Sequence, residues 1–240
     1  MGGDVTASEG LPPLPSLFAP LMLREGGDAL ARAVELAPES GPGVAPARGA
    51  GTLVWVRAYA RAEAAVVLEP ELPFAEARLA VLAAGNALAD ALAAIAPPER
   101  PVQWRWPGRL LVNAGDVGGL RWAAPPGIAE DAAPDWLVVG FELRIAWPEG
   151  TVTGERPGET ALHEEGFEDI TPALLTESWA RHLMANLDEW QARGPRRVTE
   201  KFLARLADPA AEKGLRRGIN PKGAALVLER EGARRELPLA

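Results

Sequence analysis

Arg105 sits between Trp104 and Trp106, Pro107 follows, and Asp116 and the pair Gly118 and Gly119 come soon after in the same stretch. A guanidinium is a planar fork of donors that can grip a carboxylate or phosphate, but it cannot give up a proton near neutral pH. Alternation along a strand turns Arg105 away from its two tryptophans. On a pocket wall it would hold an anion; otherwise it is a solvated or ion-paired strand residue. Paired glycines in a strand mean either a bulge or the close approach of a ligand to backbone, and both stay open. A second cluster, Arg48, Gly49, Trp55 and Arg57, surrounds a Gly-Ala-Gly run that could cradle a phosphate, although such a short run is a weak signal. Asp116 reads first as a turn residue. Trp106 and Pro107 read as a packed ring at a strand edge. The two histidines make no acid-base pair: His182 lies on an apolar helix stripe, and His163 with Glu164 and Glu165 on one short turn has no outer partners for a metal. No hydrolase triad, Walker loop or zinc spacing occurs, so no metal site is expected.

These residues need a sheet to hold them. Residues 109–113 form one extended run, 113–116 a turn and 117–123 the return strand, a hairpin. Strands are also expected over 52–57 and 64–69, the first alternating Leu53, Trp55 and Arg57 against Val54 and Val56, and over 136–146. Helical spacing predicts a helix over 28–37, capped by Asp28 and stopped by Pro38, and a long one over 74–96 that Gly85 and Asn86 weaken, ended by Pro97 and Pro98. A third runs from Thr171 and Pro172 to Gly194, with Leu175, Trp179, Leu183, Leu187 and Trp190 on one stripe, and a shorter one covers 197–206. Residues 1–24, with Leu-Pro-Pro-Leu-Pro, read as an extended arm laying Leu14, Leu17, Phe18, Leu21 and Leu23 across the domain. Residues 208–213 look like a linker. Turn signals at 220–223 and 231–232 then bracket a small two- or three-stranded piece that must pack on the main body. The class is α+β, with a mixed, largely antiparallel sheet packed with helices and a small C-terminal β appendage.

Composition narrows the function. A length of 240 residues, 48% of them hydrophobic, allows a sizeable core. A net charge of -8 argues against nucleic acid as partner. The absence of cysteine removes disulfides and thiolate metal sites. No window approaches the roughly 20 apolar residues of a membrane span, and residues 1–6 lack the basic and apolar regions of a signal peptide, so a cytoplasmic protein with no membrane partner is expected. All three lysines, Lys201, Lys213 and Lys222, lie beyond residue 200.

The hairpin with its Trp-Pro and Gly-Gly elements resembles the core hairpin of the biotin/lipoate A/B protein ligase family. Three further pieces agree in order and spacing: 49–57 with 65–70, similar to the strands lining the family's acyl pocket; 134–144, like its central strand; and Thr160-Ala-Leu-His-Glu-Glu-Gly166 with the helix after it. The resemblance spans about residues 11 to 206, with a tail that also fits. It departs at one residue type. The family's lysine stands directly before Trp-Pro in biotin ligases, where this chain has Arg105, and at the turn exit in lipoate ligases and octanoyl transferases, where it has Asp116.

The resemblance implies an arm at 1–24, a catalytic-type domain at 25–207 and a β module at 214–240. It implies activation of a carboxylic acid (biotin, lipoate or octanoate) by ATP with Mg, and acyl transfer to a lysine of a biotinyl or lipoyl carrier domain. Arg105 would then hold carboxylate or phosphate, Gly118 and Gly119 would make room for the acyl linkage, and Trp106 would stand near the substrate. Without cysteine the covalent thioester of octanoyl transferases is excluded. The alternative is a non-catalytic binding or accessory protein that keeps the fold without the lysine.

Overall fold

A computed structural model describes residues 10–39, 48–97, 99–148, 150–152, 155–207 and 215–239. The linker at 208–213 with Lys213, Pro98, the first nine residues of the arm and most of the loop before Gly49 lie outside the described residues.

Seven strands form one sheet in the order β1-β2-β3-β7-β6-β5-β4: β1 Ala19–Arg24, β2 Thr52–Arg57, β3 Arg61–Leu68, β4 Val102–Arg105, β5 Arg109–Val112, β6 Gly115–Ala123 and β7 Leu137–Arg144. Only the β1–β2 pair is parallel; the others are antiparallel. This is the mixed sheet expected. The arm is corrected in part: its last six residues are β1, hydrogen-bonded along β2, and Leu17 is 69% exposed, while Leu14, Phe18, Leu21 and Leu23 do pack on the domain. As an edge strand β1 accommodates Pro20, which has no N–H to donate.

Period-two alternation divides the sheet's two faces. One side presents Leu53, Trp55, Ala62, Ala64, Val66, Leu110, Val112, Val117, Leu137, Val139, Phe141 and Leu143 to the helices α3 Leu79–Ala93, α4 Pro172–Arg193 and α5 Pro195–Ala204. On the other side Val54, Val56, Ala65, Val67 and Val138 pack with Ala29, Ala33 and Leu36 of α1 Ala29–Leu36. Helix α1 is capped as expected, Asp28 accepting from the Ala31 N–H. It covers β2, β3, β7 and the Ala123 end of β6, and most of the rest of that face is polar.

The long helix expected over 74–96 is two helices, α2 Phe74–Ala77 and α3. At Arg78 the chain tightens, the Val81 N–H reaching Arg78 O three residues back, a 3₁₀ step that offsets the axes. Helix α3 ends at Ala93, leaving Ile95 52% exposed instead of on the buried stripe. Gly85 and Asn86 sit in its most crowded part. A Cβ on Gly85 would come within 2.9 Å of Phe202 Cε2, and Asn86 Nδ2 donates to Val198 O. Tertiary packing overrides the weak local propensity. Trp179 stands edge-on to Phe141 and donates to Ala84 O, while Trp104 stacks on Phe202.

Asp90 ties the three helices together. It accepts from Asn186 Nδ2 at 3.0 Å, Lys201 Nζ at 2.6 Å and Arg205 Nη1 at 2.9 Å. Burial acts to raise its pKa, but these donors outweigh it and hold the carboxyl below its ordinary 3.8. A depressed carboxylate contributes stability that is present above its unfolded value and lost as pH falls through the folded one. Asp90→Ala is therefore expected to cost about 2–3 kcal/mol at pH 7, the range of charge-assisted hydrogen bonds lost at a partly buried site. In urea denaturation at a series of pH values, its deficit against the parent should close as the pH drops below that ordinary value.

The tail forms a separate three-stranded antiparallel sheet, β8 Arg216–Asn220, β9 Ala225–Arg230 and β10 Ala233–Leu237. Ala224, Leu226 and Leu239 join it to the main core. Among the described residues no helix is long and apolar enough to cross a membrane.

Candidate functional site

The polar part of the sheet is organised by the β5–β6 hairpin. Asn113 and Ala114 both have positive φ, 49° and 68°, as a two-residue type I′ hairpin turn requires. The register shifts between Leu110 and Leu111, so Leu110 pairs with Gly118 and Leu111 with Asp116. This bulge, with Gly118 at φ 134°, re-aims Asp116. Asp116 is not a turn residue but a buried strand residue on the same side as Arg105 and Arg109. Its carboxylate accepts from Arg105 Nη2 at 2.6 Å, from Arg109 Nε at 3.0 Å and Nη2 at 2.5 Å, and from the Gly118 N–H at 3.0 Å.

Beside it a second network crosses β3, β6 and β7. Arg121 donates to Glu63 Oε1 at 2.7 Å, to Glu142 Oε2 at 3.2 Å and to Asp28 Oδ2 at 2.8 Å. Glu63 Oε1 also accepts from the Ala29 N–H at 2.8 Å, which binds the N-terminus of α1 to the sheet. Burial pushes the Glu63 pKa up, against the lowering pull of the Ala29 N–H and the arginines. Asp28 goes the other way: burial would raise it, but Arg121 and the first-turn N–H groups prevail. Arg61 donates to Gly27 O, and Arg144 donates to Thr160 O, pairs with Glu159 and stacks over Trp147 with its guanidinium carbon 4.2 Å from the ring centre.

Between these networks lies a groove of about 490 Å³ whose walls include Arg61, Arg109, Arg121 and Arg144, with Gly118 and Gly119 on its floor. Among the described residues, four guanidiniums against one lining carboxylate, Glu142, suit a carboxylate or phosphate ligand. The glycines also have structural reasons. A Cβ on Gly118 would stand 2.1 Å from Glu142 O, and one on Gly119 2.3 Å from Gly108 O.

Of the residues singled out in the sequence, the structure brings Arg105, Asp116, Gly118 and Gly119 to this region. Arg105 is not itself in the groove wall; it reaches the groove through Asp116, shared with Arg109. Trp106, joined to Pro107 by a cis peptide, packs edge-on against Phe202 and donates to Pro238 O. Arg48 pairs with Glu39, and Gly49 donates to Leu36 O, so both lie at the end of α1 away from the groove. Trp55 and Arg57 share the parity of Leu53 and belong to the sheet's helix-covered side. Sequence reasoning missed Arg61, Glu63, Arg109, Arg121, Glu142 and Arg144. Glu63 carried a signal, being the one charged residue inside an otherwise apolar run from Ala62 to Leu68.

Comparison with known proteins agrees with this architecture. The model of the biotin/lipoate A/B protein ligase family matches residues 11–204. A biotin–[acetyl-CoA-carboxylase] ligase of Paracoccus denitrificans is 31% identical over 214 residues, covering 80% of this chain and 84% of the relative. A biotin protein ligase-like protein of unknown function from Silicibacter sp. TM1040 superposes with a TM-score of 0.78 at 33% identity, covering 95% of this chain and 96% of the other. The biotin protein ligase of Aquifex aeolicus, solved in complex with biotin and ATP, shares the fold with a TM-score of 0.63 at 14% identity, covering 91% and 95%.

Proposed function

Because the chain belongs to the biotin/lipoate A/B protein ligase family, we propose that its arginine groove binds a carboxylic acid and ATP, activates the acid as an acyl-adenylate and delivers it to a carrier-domain lysine. Biotin is the first candidate acid, since the Paracoccus relative is a biotin ligase and the Aquifex structure holds biotin and ATP; lipoate and octanoate follow. The observation that carries this reading is the groove itself, an open polar recess rimmed by Arg61, Arg109, Arg121 and Arg144 over Gly118 and Gly119. Mg would accompany the ATP, the acceptor would be a biotinyl carrier domain, and the setting would be the cytoplasm.

The missing lysine bears unequally on the two half-reactions. In the first, a carboxylate oxygen forms a bond to the α-phosphorus while the bond to pyrophosphate breaks. Negative charge shifts and no proton moves, so fixed guanidiniums suffice. In the second, the acceptor amine attacks the acyl carbon, AMP leaves and the nitrogen sheds a proton, which an arginine cannot take. Adenylation is thus the step this site is equipped for. One observation favours the accessory-protein reading instead: Asp116 holds both Arg105 and Arg109, which lowers the positive field available to phosphate.

Pyrophosphate release from purified protein with ATP and biotin, lipoate or octanoate decides between them. An active site gives acid-dependent release that falls at least tenfold in Arg109→Gln. Saturable uptake of an acid without release supports the accessory protein, and neither uptake nor release overturns both.

A further inference from the structure

The loop after β3, the C-terminal end of α4 and the turn between β8 and β9 enclose a recess of about 880 Å³, larger than the arginine groove and on the helix-covered side of the large sheet. It lies where the tail joins the main body, beside the Gly223 N–H that donates to Ala75 O at 2.6 Å. Much of its lining is apolar: Leu68, Leu79, Leu187 and Trp190 contribute, and Leu72, also in the wall, is left 41% exposed. The charged lining is mostly negative. Glu69, Glu71 and Glu76 belong to it, and none of the three side chains makes an ion pair or hydrogen bond among the described residues. Lys222 is the one described cation in the wall, and it pairs with none of them.

Elsewhere the chain neutralises its glutamates with arginine, as at Glu130, Glu159, Glu177 and Glu189. Here three carboxylates stand unpaired beside apolar walls, and a cleft of that kind focuses their field on whatever enters it. An occupant must therefore bring positive charge together with apolar surface, and the face of Trp190 adds its own attraction for a cation. The chain itself has little to offer for that role. Outside the described residues Lys213 is the only cationic side chain, and it stands three residues before β8, whose opposite end leads into the recess at Pro221 and Lys222. The N-terminal amine precedes Gly10, which meets Thr171 at the other end of α4. We propose that this recess binds a small organic cation, an ammonium or quaternary ammonium carried on an apolar body. Glu69, Glu71 and Glu76 supply the countercharge, Trp190 the aromatic face and the leucines the apolar contact. Its volume lies within the roughly 300–1,000 Å³ of small-molecule sites.

The test is a titration of ¹⁵N-labelled full chain, at neutral pH and constant ionic strength, with three probes that share one body and differ in charge: phenylbutylammonium, phenylbutanol and phenylbutyrate. The Trp190 indole resonance, identified by its loss in Trp190→Phe, reports from the side of the sheet opposite the arginine groove. Phenylbutylammonium is expected to saturate at least fivefold more tightly than the alcohol, with the carboxylate weakest. Combining Glu69→Gln, Glu71→Gln and Glu76→Gln, which breaks no ion pair among the described residues, should weaken the cation at least tenfold and bring the three probes together. Removing three exposed carboxylates elsewhere, with Glu25→Gln, Glu164→Gln and Glu168→Gln, should leave the curve nearly unchanged. Should Trp190→Phe fail to fold, the Lys222 amide serves as reporter. A cation that never saturates, an alcohol or carboxylate that binds as tightly, a shift undiminished in the recess variant, or equal weakening by both variants overturns the site. Because no ATP is used, failure here is separable from failure of the pyrophosphate assay.

Discussion

Arg121→Ala should lower folding stability by about 3 kcal/mol, the cost of stranding a buried carboxylate when its principal partner is removed. Glu63 is 1% exposed, and Arg121 is its nearest guanidinium at 2.7 Å; Arg61 stands farther off at 3.3 Å. Truncation also takes the link from Asp28 and Glu142. Adding Glu63→Gln to Arg121→Ala should restore most of the loss, since the amide oxygen still accepts from the Ala29 N–H while the stranded charge is gone. A double-mutant cycle in urea gives that coupling directly. The loss is also pH-dependent in a definite sense. Burial raises the Glu63 pKa above its ordinary 4.5, so the folded state holds that proton more tightly than the unfolded chain does. Its contribution therefore works against stability as pH rises through the folded pKa. Arg121 limits this penalty, and its removal should be felt fully at neutral pH and fade below the ordinary glutamate value. A deficit under about 1 kcal/mol at pH 7 would mean that water and Arg61 already satisfy Glu63.

Gly118→Ala is expected to cost about 3 kcal/mol or more. Two penalties combine: a φ of 134° in a region that side chains avoid, worth roughly 1–3 kcal/mol, and a Cβ driven to 2.1 Å from Glu142 O and 2.9 Å from Leu143 Cα. Both obstacles are backbone, so relief requires β6 and β7 to part at the bulge that aims Asp116. The variant should lose denaturation midpoint and, with it, the Asp116 contacts to Arg105 and Arg109. Gly218→Ala on β8 is the control: its φ is unexceptional and nothing lies within 4 Å of the added carbon. It should stay within about 0.5 kcal/mol of the parent.

Much of the scaffold was legible because its signals are local. Asp28 and Thr171 cap α1 and α4 where their side chains reach first-turn N–H groups, and Gly194 closes α4. Alternation located β2 to the residue. The hairpin was legible, but its register was not. The turn is only Asn113 and Ala114, so Asp116 already pairs in the strand with Leu111; the paired glycines allowed a bulge, but nothing local placed the extra residue at Val117. The break at Arg78 was equally silent, since the same apolar spacing continues through it.

The site was legible only in part, for a topological reason. Arg61, Glu63, Arg121 and Glu142 meet because β7 lies between β3 and β6, a strand order that depends on pairings far apart in sequence. Trp55 and Arg57 stood beside a glycine run and suggested one site with Arg105. Strand parity sends them to the opposite side of the sheet. The lysine-free stretch, by contrast, needed no structure to be seen: among the described residues the cationic groups of the groove are all guanidiniums.

The outermost ladder of the large sheet bears on how the chain can be divided. Along β4 the Trp104 N–H donates to Arg205 O at 2.8 Å, and Trp104 O accepts from the Ala207 N–H at 2.8 Å. The few residues after α5 thus act as a selvedge, occupying main-chain groups that would otherwise be free to recruit a strand from another molecule. The family match stops at residue 204, just short of them. A fragment trimmed at that border would keep every helix and strand of the large sheet yet expose a raw hem, and self-association would be its first symptom.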